Sequence, residues 1–233
     1  MTLLSVVQNV CLVVGLAKPD QVAASTDRDM LEMMRVANEV AIRIRDAEFD
    51  WQALQAETTL TGDGASMDFD LPQDYARMPT KASMWSSRWS WSLEQVPSTD
   101  AWLELQAVPV IAATGQWIIY GGQIHILPAM AQAETVKFFY ISKNAVKPAS
   151  GSNKEFFTAD DDAFRLSERA LELGMIWQWR SQKGQIGDDD EDNFNRALYT
   201  AMNNDGGSKP VVSGNGRKGF RDVKTAFPYT VGS

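Results

Sequence analysis

Residues 135–142 read TVKFFYIS, and after a loop residues 156–184 read FFTADDDAFRLSERALELGMIWQWRSQKG. In the first segment Val136, Phe138 and Tyr140 recur at every second position, which is the period of a β-strand. In the second segment three acidic residues stand before an apolar helical pattern, and Gly184 follows it. These two segments predict a strand that leads through a loop into a helix beginning at Asp160–Asp162.

The predicted helix after the acidic triplet is apolar on two sides. One side is rich in small residues and includes Gly174, whereas the other carries Leu166, Leu173 and Trp177. A glycine inside a helix is unfavourable, so its presence indicates a close approach to a neighbouring helix. We therefore expect this helix to lie centrally in a bundle or at a subunit contact, with Leu173 and Trp177 as candidates for the contact.

A further helix is predicted after the acidic run Asp188–Asp192. Its apolar positions fall on one face, comprising Phe194, Ala197, Leu198, Ala201 and Met202. Five consecutive acids at a helix N-terminus are stabilised by the helix dipole, and no calcium-loop spacing surrounds them. We therefore interpret the run as a solvated helix start rather than a cation site.

The N-terminal part also predicts two helices. The first runs over Leu3–Val14, where Thr2 is placed to cap it and Gly15 to end it. This apolar segment lacks a basic leader and is too short to span a bilayer, so a core helix fits better than a signal peptide. The second helix opens at Ser25–Asp27 and buries a methionine-rich stripe that includes Met30, Met33 and Met34.

Between about Glu57 and Val146 the hydrophobic period changes to two, which predicts β-strands. Gly62-Asp63-Gly64 and Gly121-Gly122 are hairpin signals, because glycine adopts positive φ without strain. The predicted strands cover residues 58–61, 67–71, 81–85, 101–105, 117–120, 123–127 and 135–141.

The order of these segments predicts an α+β fold: a four-helix core with an antiparallel β-module inserted between helices two and three. The corresponding regions are 1–56 (helical core, N-terminal half), 57–147 (β-module), 148–207 (helical core, C-terminal half) and 208–233 (extended C-terminal tail).

The net charge of −8 is unevenly distributed. Residues 208–233 contain five basic side chains and one acidic one, a local charge of +4, which leaves −12 on residues 1–207. An acidic body argues against a surface that grips nucleic acid. The tail is therefore the only basic candidate, either as a solvated end or as a segment that docks onto a partner. Its candidate docking residues are Lys209, Arg217, Lys218, Phe220, Arg221, Lys224, Phe227 and Tyr229.

The sequence lacks the common catalytic motifs. His125 is the only histidine and Cys11 the only cysteine, and neither a phosphate-binding glycine loop nor a nucleophile elbow is present. We expect His125 to be a strand residue and Cys11 a buried apolar residue, with no enzymatic activity, metal or cofactor. A glycan hydrolase remains the alternative, because two carboxylates suffice for glycoside hydrolysis and no sequence pattern marks them.

The β-region holds five of the eight tryptophans. Trp85, Trp89 and Trp91 are candidates for an inter-subunit contact, since tryptophan is enriched at interfaces. Core packing and a carbohydrate-stacking platform are the other two interpretations of this cluster.

Three segments carry a family resemblance: Leu71-Pro72-Gln73-Asp74-Tyr75, the strand Glu134–Ser142, and residues 156–184. Their order and spacing, together with the basic and aromatic tail, resemble the head-to-tail adaptor proteins of tailed bacteriophages. The resemblance covers about residues 1–207 in layout and weakens beyond Gly219.

The resemblance implies a structural virion protein that forms a ring of twelve subunits beneath the portal. The helical part would form the ring wall, and the tail would dock onto the portal protein. A downstream tail or nozzle protein would be the next partner, and packaged DNA would pass through the lumen without specific binding. The expected location is the portal–tail junction of the virion, after synthesis in the host cytoplasm, with no membrane association.

Overall fold

The computed structural model describes residues 1–80, 82–89, 91–107, 115–185, 187 and 189–206. Within these residues the helices are α1 Leu3–Val14, α2 Arg28–Arg45, α3 Thr99–Ala107, α4 Glu168–Gln182 and α5 Asp190–Asp205, with a 3₁₀ turn at Gln52–Leu54. The strands are β1 Gln55–Thr61, β2 Asp68–Asp70, β3 Tyr75–Arg77, β4 Met84–Ser86, β5 Ser92–Gln95, β6 Gln116–Tyr120, β7 Gln123–Leu127, β8 Thr135–Ser142, β9 Val146–Lys147 and β10 Ala163–Phe164.

Helix α1 begins and ends as predicted, and α2 begins as predicted. The Thr2 hydroxyl accepts a hydrogen bond from the backbone N–H of Ser5, and Gly15 ends α1 with φ of 81°. Asp27 caps α2 in the same way through the N–H of Asp29. No helix in the described ranges is long and apolar enough to cross a membrane.

The sheet has eight strands: seven lie on one path, in the order β1-β8-β4-β5-β6-β7-β2, and the eighth, β3, pairs with β8. All pairs are antiparallel except β5 with β6, which run parallel. The hairpin predicted at Gly121-Gly122 is confirmed, with φ of 59° and 82°. The hairpin predicted at Gly62–Gly64 is wrong, because β1 pairs with β8 and β2 pairs with β7 instead.

The strand predicted at Ala101–Leu105 is also wrong, since these residues belong to α3. Parallel strands need a crossover connection, and α3 lies between the parallel strands β5 and β6. The Ser98 backbone carbonyl accepts a hydrogen bond from Trp102 N–H, and the Ser98 hydroxyl accepts one from Ala101 N–H. Trp102 is then buried against the sheet with Ile118.

Two large cores fill the interior. The helical core combines α1, α2, α4 and α5 with Trp51, Phe157 and Phe164. The sheet core is built from inward residues of β1, β4, β5, β6, β7 and β8, among them Trp117. Strand β8 supplies both: Val136, Phe138 and Tyr140 lie in the sheet core, and Ile141 lies in the helical core.

The predicted fold class is therefore wrong. In place of a four-helix core with an antiparallel β-module inserted between helices two and three, the described residues form five helices and a large mixed sheet of eight strands. The pattern of residues 58–141 marked most of the strands but not their number or partners, because pairing between distant segments leaves no local signal.

Helix α4 starts later than the acidic triplet predicted. It begins at Glu168, and the Ser167 hydroxyl caps it by accepting a hydrogen bond from Ala170 N–H. The acidic triplet instead forms hydrogen bonds with other segments: the Asp160 carboxylate accepts hydrogen bonds from the N–H groups of Val22 and Ala23. The backbone carbonyls of Asp160 and Asp162 accept from Leu4 and Leu3, at the first turn of α1.

Candidate functional site

The most distinctive surface is the outer face of β1, β8 and β4, which we call the outer sheet face. In β8 the side chains alternate, so Val136 and Phe138 point into the sheet core while Lys137 and Phe139 point outward. Across the strands, Glu57 of β1 is paired with Phe139, and Trp85 of β4 is paired with Lys137. The strand period thus places two aromatic rings and an ion pair on one face.

The two outward aromatic side chains are largely uncovered by the described residues. Trp85 is 53% exposed and Phe139 is 51% exposed. Lys137 lies between them in the sheet and reaches the Glu57 carboxylate at 3.7 Å. Large aromatic groups left in water beside each other are characteristic of a surface that another molecule covers.

A groove of about 590 Å³ runs along this face. Its lining combines the two exposed rings with the loop before β4 and with side chains of β1, in full Asp50, Gln55, Glu57, Pro79, Thr80, Ala82, Ser83, Trp85, Lys137, Phe138 and Phe139. A mostly apolar groove with charges at its rim suits a peptide segment with aromatic side chains.

Asp50 fixes the loop that forms one wall of the groove. Its carboxylate accepts hydrogen bonds from the Thr80 backbone N–H at 2.8 Å and from the guanidinium of Arg77. Burial acts to raise the pKa of Asp50, but these hydrogen bonds outweigh burial and hold the pKa below its ordinary value. A glycosidase acid needs a raised pKa, so Asp50 does not suit that role.

The other tryptophans of the predicted contact cluster are arranged differently. Trp89 and Trp91 stack on each other with ring centroids 5.7 Å apart, and Arg88 lies over the Trp89 ring at 4.8 Å. Trp91 is 44% exposed. Because these rings cover one another, the sheet does not present the three tryptophans Trp85, Trp89 and Trp91 as a single flat stacking platform for sugars.

Leu173 and Trp177 lie on α4, away from the outer sheet face. The Trp177 ring stacks on Phe194 of α5 at 5.7 Å and under the guanidinium of Arg43 at 4.8 Å. Both residues are partly buried against the helical core. Trp177 therefore joins α4 to α2 and α5 within the subunit.

The basic and aromatic residues proposed for docking all lie outside the described residues, since the structure describes nothing beyond Gly206. The point where the tail begins is well defined. The Asp205 carboxylate at the end of α5 accepts hydrogen bonds from the backbone N–H groups of Gln52 and Ala53, in the 3₁₀ turn that precedes β1.

The remaining polar candidates have structural partners. His125 lies in β7, where its Nδ1 is 2.7 Å from an Asp68 carboxylate oxygen and its ring stacks on Tyr120 at 3.7 Å. Cys11 is buried, as expected. Among the residues that the structure describes, no three His, Cys, Asp or Glu side chains are grouped to hold a metal ion.

The sequence indicated Trp85 as a candidate for an interface but did not indicate Phe139 or the groove-lining loop residues Pro79, Thr80, Ala82 and Ser83. The signal for Phe139 was available in the alternation of β8, where it falls opposite to Phe138 and Tyr140. Nothing in the sequence signalled that the loop would close one side of a groove.

Comparison with known proteins adds no relationship: no protein-family model matches the chain, and no curated protein matches it significantly.

Proposed function

We propose that this chain is a structural virion protein, the head-to-tail adaptor subunit that links the portal to the tail of a bacteriophage. The observation that carries the proposal is the outer sheet face, where Trp85 and Phe139 stand half exposed beside an apolar groove. Such a face fits contact with a neighbouring subunit in a ring. The resemblance of the three sequence segments supplies the class of assembly.

The division of the chain into a helical core and a sheet core supports this role. A ring wall has to be rigid, and α4 packs so closely on α2 and α5 that Gly174 leaves no room for a side chain. The sheet core then presents the outer sheet face to the neighbour. In this proposal the ring has twelve subunits and the tail, residues 208–233, docks onto the portal protein.

The charge of the body supports passage of DNA through the ring. Residues 1–207 carry a net charge of −12, and an acidic lumen repels phosphate, so DNA slides rather than adheres. The ring would retain packaged DNA by position and connect to a downstream tail or nozzle protein. The proposed location is the portal–tail junction of the virion, after synthesis in the host cytoplasm.

The test is to mix the purified full chain with purified portal protein and to look for a ring by electron microscopy. We expect rings on portals with the native chain, and few or none with Phe139→Asp, because burying an unpaired charge at a contact is costly. Leu103→Asp is the matched control, since Leu103 is 61% exposed on α3, outside the outer sheet face.

Two results would count against this function. A native chain that forms no ring on the portal contradicts the adaptor proposal itself, and equal ring formation by Phe139→Asp contradicts the use of the outer sheet face. Zymography of the native chain on cell-wall material tests the hydrolase alternative, and a clearing zone would favour that alternative.

A further inference from the structure

The groove on the outer sheet face has an apolar wall that the described residues leave open. Trp85 and Phe139 are each about half exposed, and Pro79 and Ala82 face them from the loop. Exposed aromatic rings would promote association between free subunits before a portal is present. A segment that covers the groove until assembly would prevent this.

Helix α5 ends near this groove. Asp205 is fastened to the N–H of Ala53 at 3.1 Å, and a Cβ on Gly206 would lie 3.6 Å from the side-chain nitrogen of Gln52. Asp50, which lines the groove, is two residues before Gln52 in the chain, so their Cα atoms are at most about 7 Å apart. Gly206, the last described residue before the tail, therefore lies close to the part of the chain that leads into the groove's rim.

The length and chemistry of the tail fit the groove. Residues 207–233 span up to about 90 Å when extended, whereas the chain from Gln52 to Glu57 spans at most about 18 Å. The tail carries Phe220, Phe227 and Tyr229 together with a net charge of +4. The two rim carboxylates, Asp50 and Glu57, are already paired with Arg77 and Lys137, so the fit rests on the aromatic side chains and on the length of the tail.

We propose that in the free subunit the segment 217–229 of the chain's own tail lies in this groove, with its aromatic side chains against Trp85 and Phe139. The consequence for assembly rests on the proposed function. The portal and the groove then compete for the same segment, so portal binding withdraws the tail and uncovers the outer sheet face for the neighbouring subunit. Ring formation is thereby restricted to the portal.

The experiment places the photo-crosslinking amino acid p-benzoylphenylalanine in the full chain at position 85 and, separately, at position 139. The matched control places it at Tyr199, which is 69% exposed on α5 and lies much closer in sequence to the tail. Irradiation of the free protein is followed by gel electrophoresis and peptide mass spectrometry. Both probe positions are exposed, so one of them suffices if the other variant unfolds.

We expect adducts within one chain between position 85 or 139 and residues 217–229, at about tenfold higher yield than from position 199. Tethering gives a local concentration in the millimolar range, so the yield stays constant when the protein is diluted about tenfold. Adducts only between two chains, no tail adduct, or equal yields from positions 85 and 199 would each overturn the docking.

Adding purified portal separates the docking from its consequence. The adducts from position 85 should disappear when portal binds, and their persistence on portal-bound chains would overturn the proposed competition. Because the first measurement needs no portal, a failure of docking is distinct from a failure of the adaptor function.

Discussion

Gly174 offers the sharpest test of the packing in the helical core. A Cβ added at this position would lie 2.5 Å from Val40 Cγ1 on α2 and 2.9 Å from Phe194 Cε2 on α5. Carbon atoms prefer a separation of about 3.5–4 Å, so both neighbours would have to move. The site is enclosed on two sides by different helices, and a shift away from one does not relieve the other.

The size of the effect follows from two opposing contributions. Alanine is favoured over glycine inside a helix by about 1 kcal/mol. Overpacking a filled core costs about 1–3 kcal/mol, and two simultaneous close contacts place Gly174→Ala at the upper end. We therefore expect a net loss of about 2 kcal/mol in the free energy of unfolding, which lowers Tm by about 4–8 °C for a chain of this length.

The assay is equilibrium unfolding in urea, followed by circular dichroism. Gly206→Ala is the matched control, because Gly206 ends α5 with φ of −92° and a Cβ there would make only an ordinary contact at 3.6 Å. Val40→Ala, combined with Gly174→Ala, completes a double-mutant cycle. Removing Cγ1 of Val40 should recover about 1 kcal/mol of the loss.

A Gly174→Ala chain as stable as the native one would refute this reasoning. So would a double mutant whose two effects simply add, because the added methyl group would then not be pressing on Val40.

Three further outcomes are expected. Asp162→Ala should lower the free energy of unfolding by about 3 kcal/mol at neutral pH, because Asp162 is buried and paired with Lys154 at 2.7 Å, whereas Asp161→Ala at the exposed neighbouring position should change it little. The pKa of Asp162 lies below its ordinary value, so the stability difference measured by urea unfolding should shrink as the pH falls, and a constant difference would contradict the pairing. Burial and the hydrogen bond to Asp74 raise the pKa of Tyr140 to about 12, so the stabilisation from the neutral phenol is present below about pH 10 and is lost as the pH rises through 12. In an absorbance titration of the tyrosines, the step at the highest pH should be missing from Tyr140→Phe, and an unchanged curve would disprove the assignment. Fluorescence anisotropy at two salt concentrations should show that alanine substitution of the tail's basic residues removes any binding to duplex DNA. Undiminished binding with a steep salt dependence would mean that the DNA-binding surface lies on residues 1–207.

The parts of the fold that the sequence predicted are those set by adjacent residues. The limits of α1 depend on Thr2 and Gly15, and the hairpin between β6 and β7 depends on two glycines with positive φ. Each of these signals acts within a few residues, so no knowledge of the remaining chain was needed.

The wrong secondary-structure predictions fall on segments whose conformation depends on contacts with residues far away in the sequence. Residues 101–105 are too short a pattern to separate strand from helix, and only the parallel pairing of β5 with β6 requires a helical crossover there. Asp160–Asp162 had the composition of a helix start, but a carboxylate can accept hydrogen bonds from any free N–H. Here the Asp160 carboxylate accepts them from Val22 and Ala23, in the loop between α1 and α2.

The candidate surface was predictable only in part. A tryptophan in a strand indicated Trp85, and the alternation of β8 marked the direction of Phe139. The groove also depends on Pro79 and Thr80, which are positioned by the contacts of Asp50 with Arg77 and Thr80. Such a contact joins side chains that are far apart in sequence, and composition does not reveal it.

Strand β8 has a mechanical consequence. It hydrogen-bonds to β1, β3 and β4, and it contributes side chains to both cores. A pull that separates the helical core from the sheet core therefore loads β8 along its length, and β8 can leave the sheet only by sliding past β4. Paired strands loaded in shear must break many hydrogen bonds together. The two cores of the subunit are thus mechanically joined along β8.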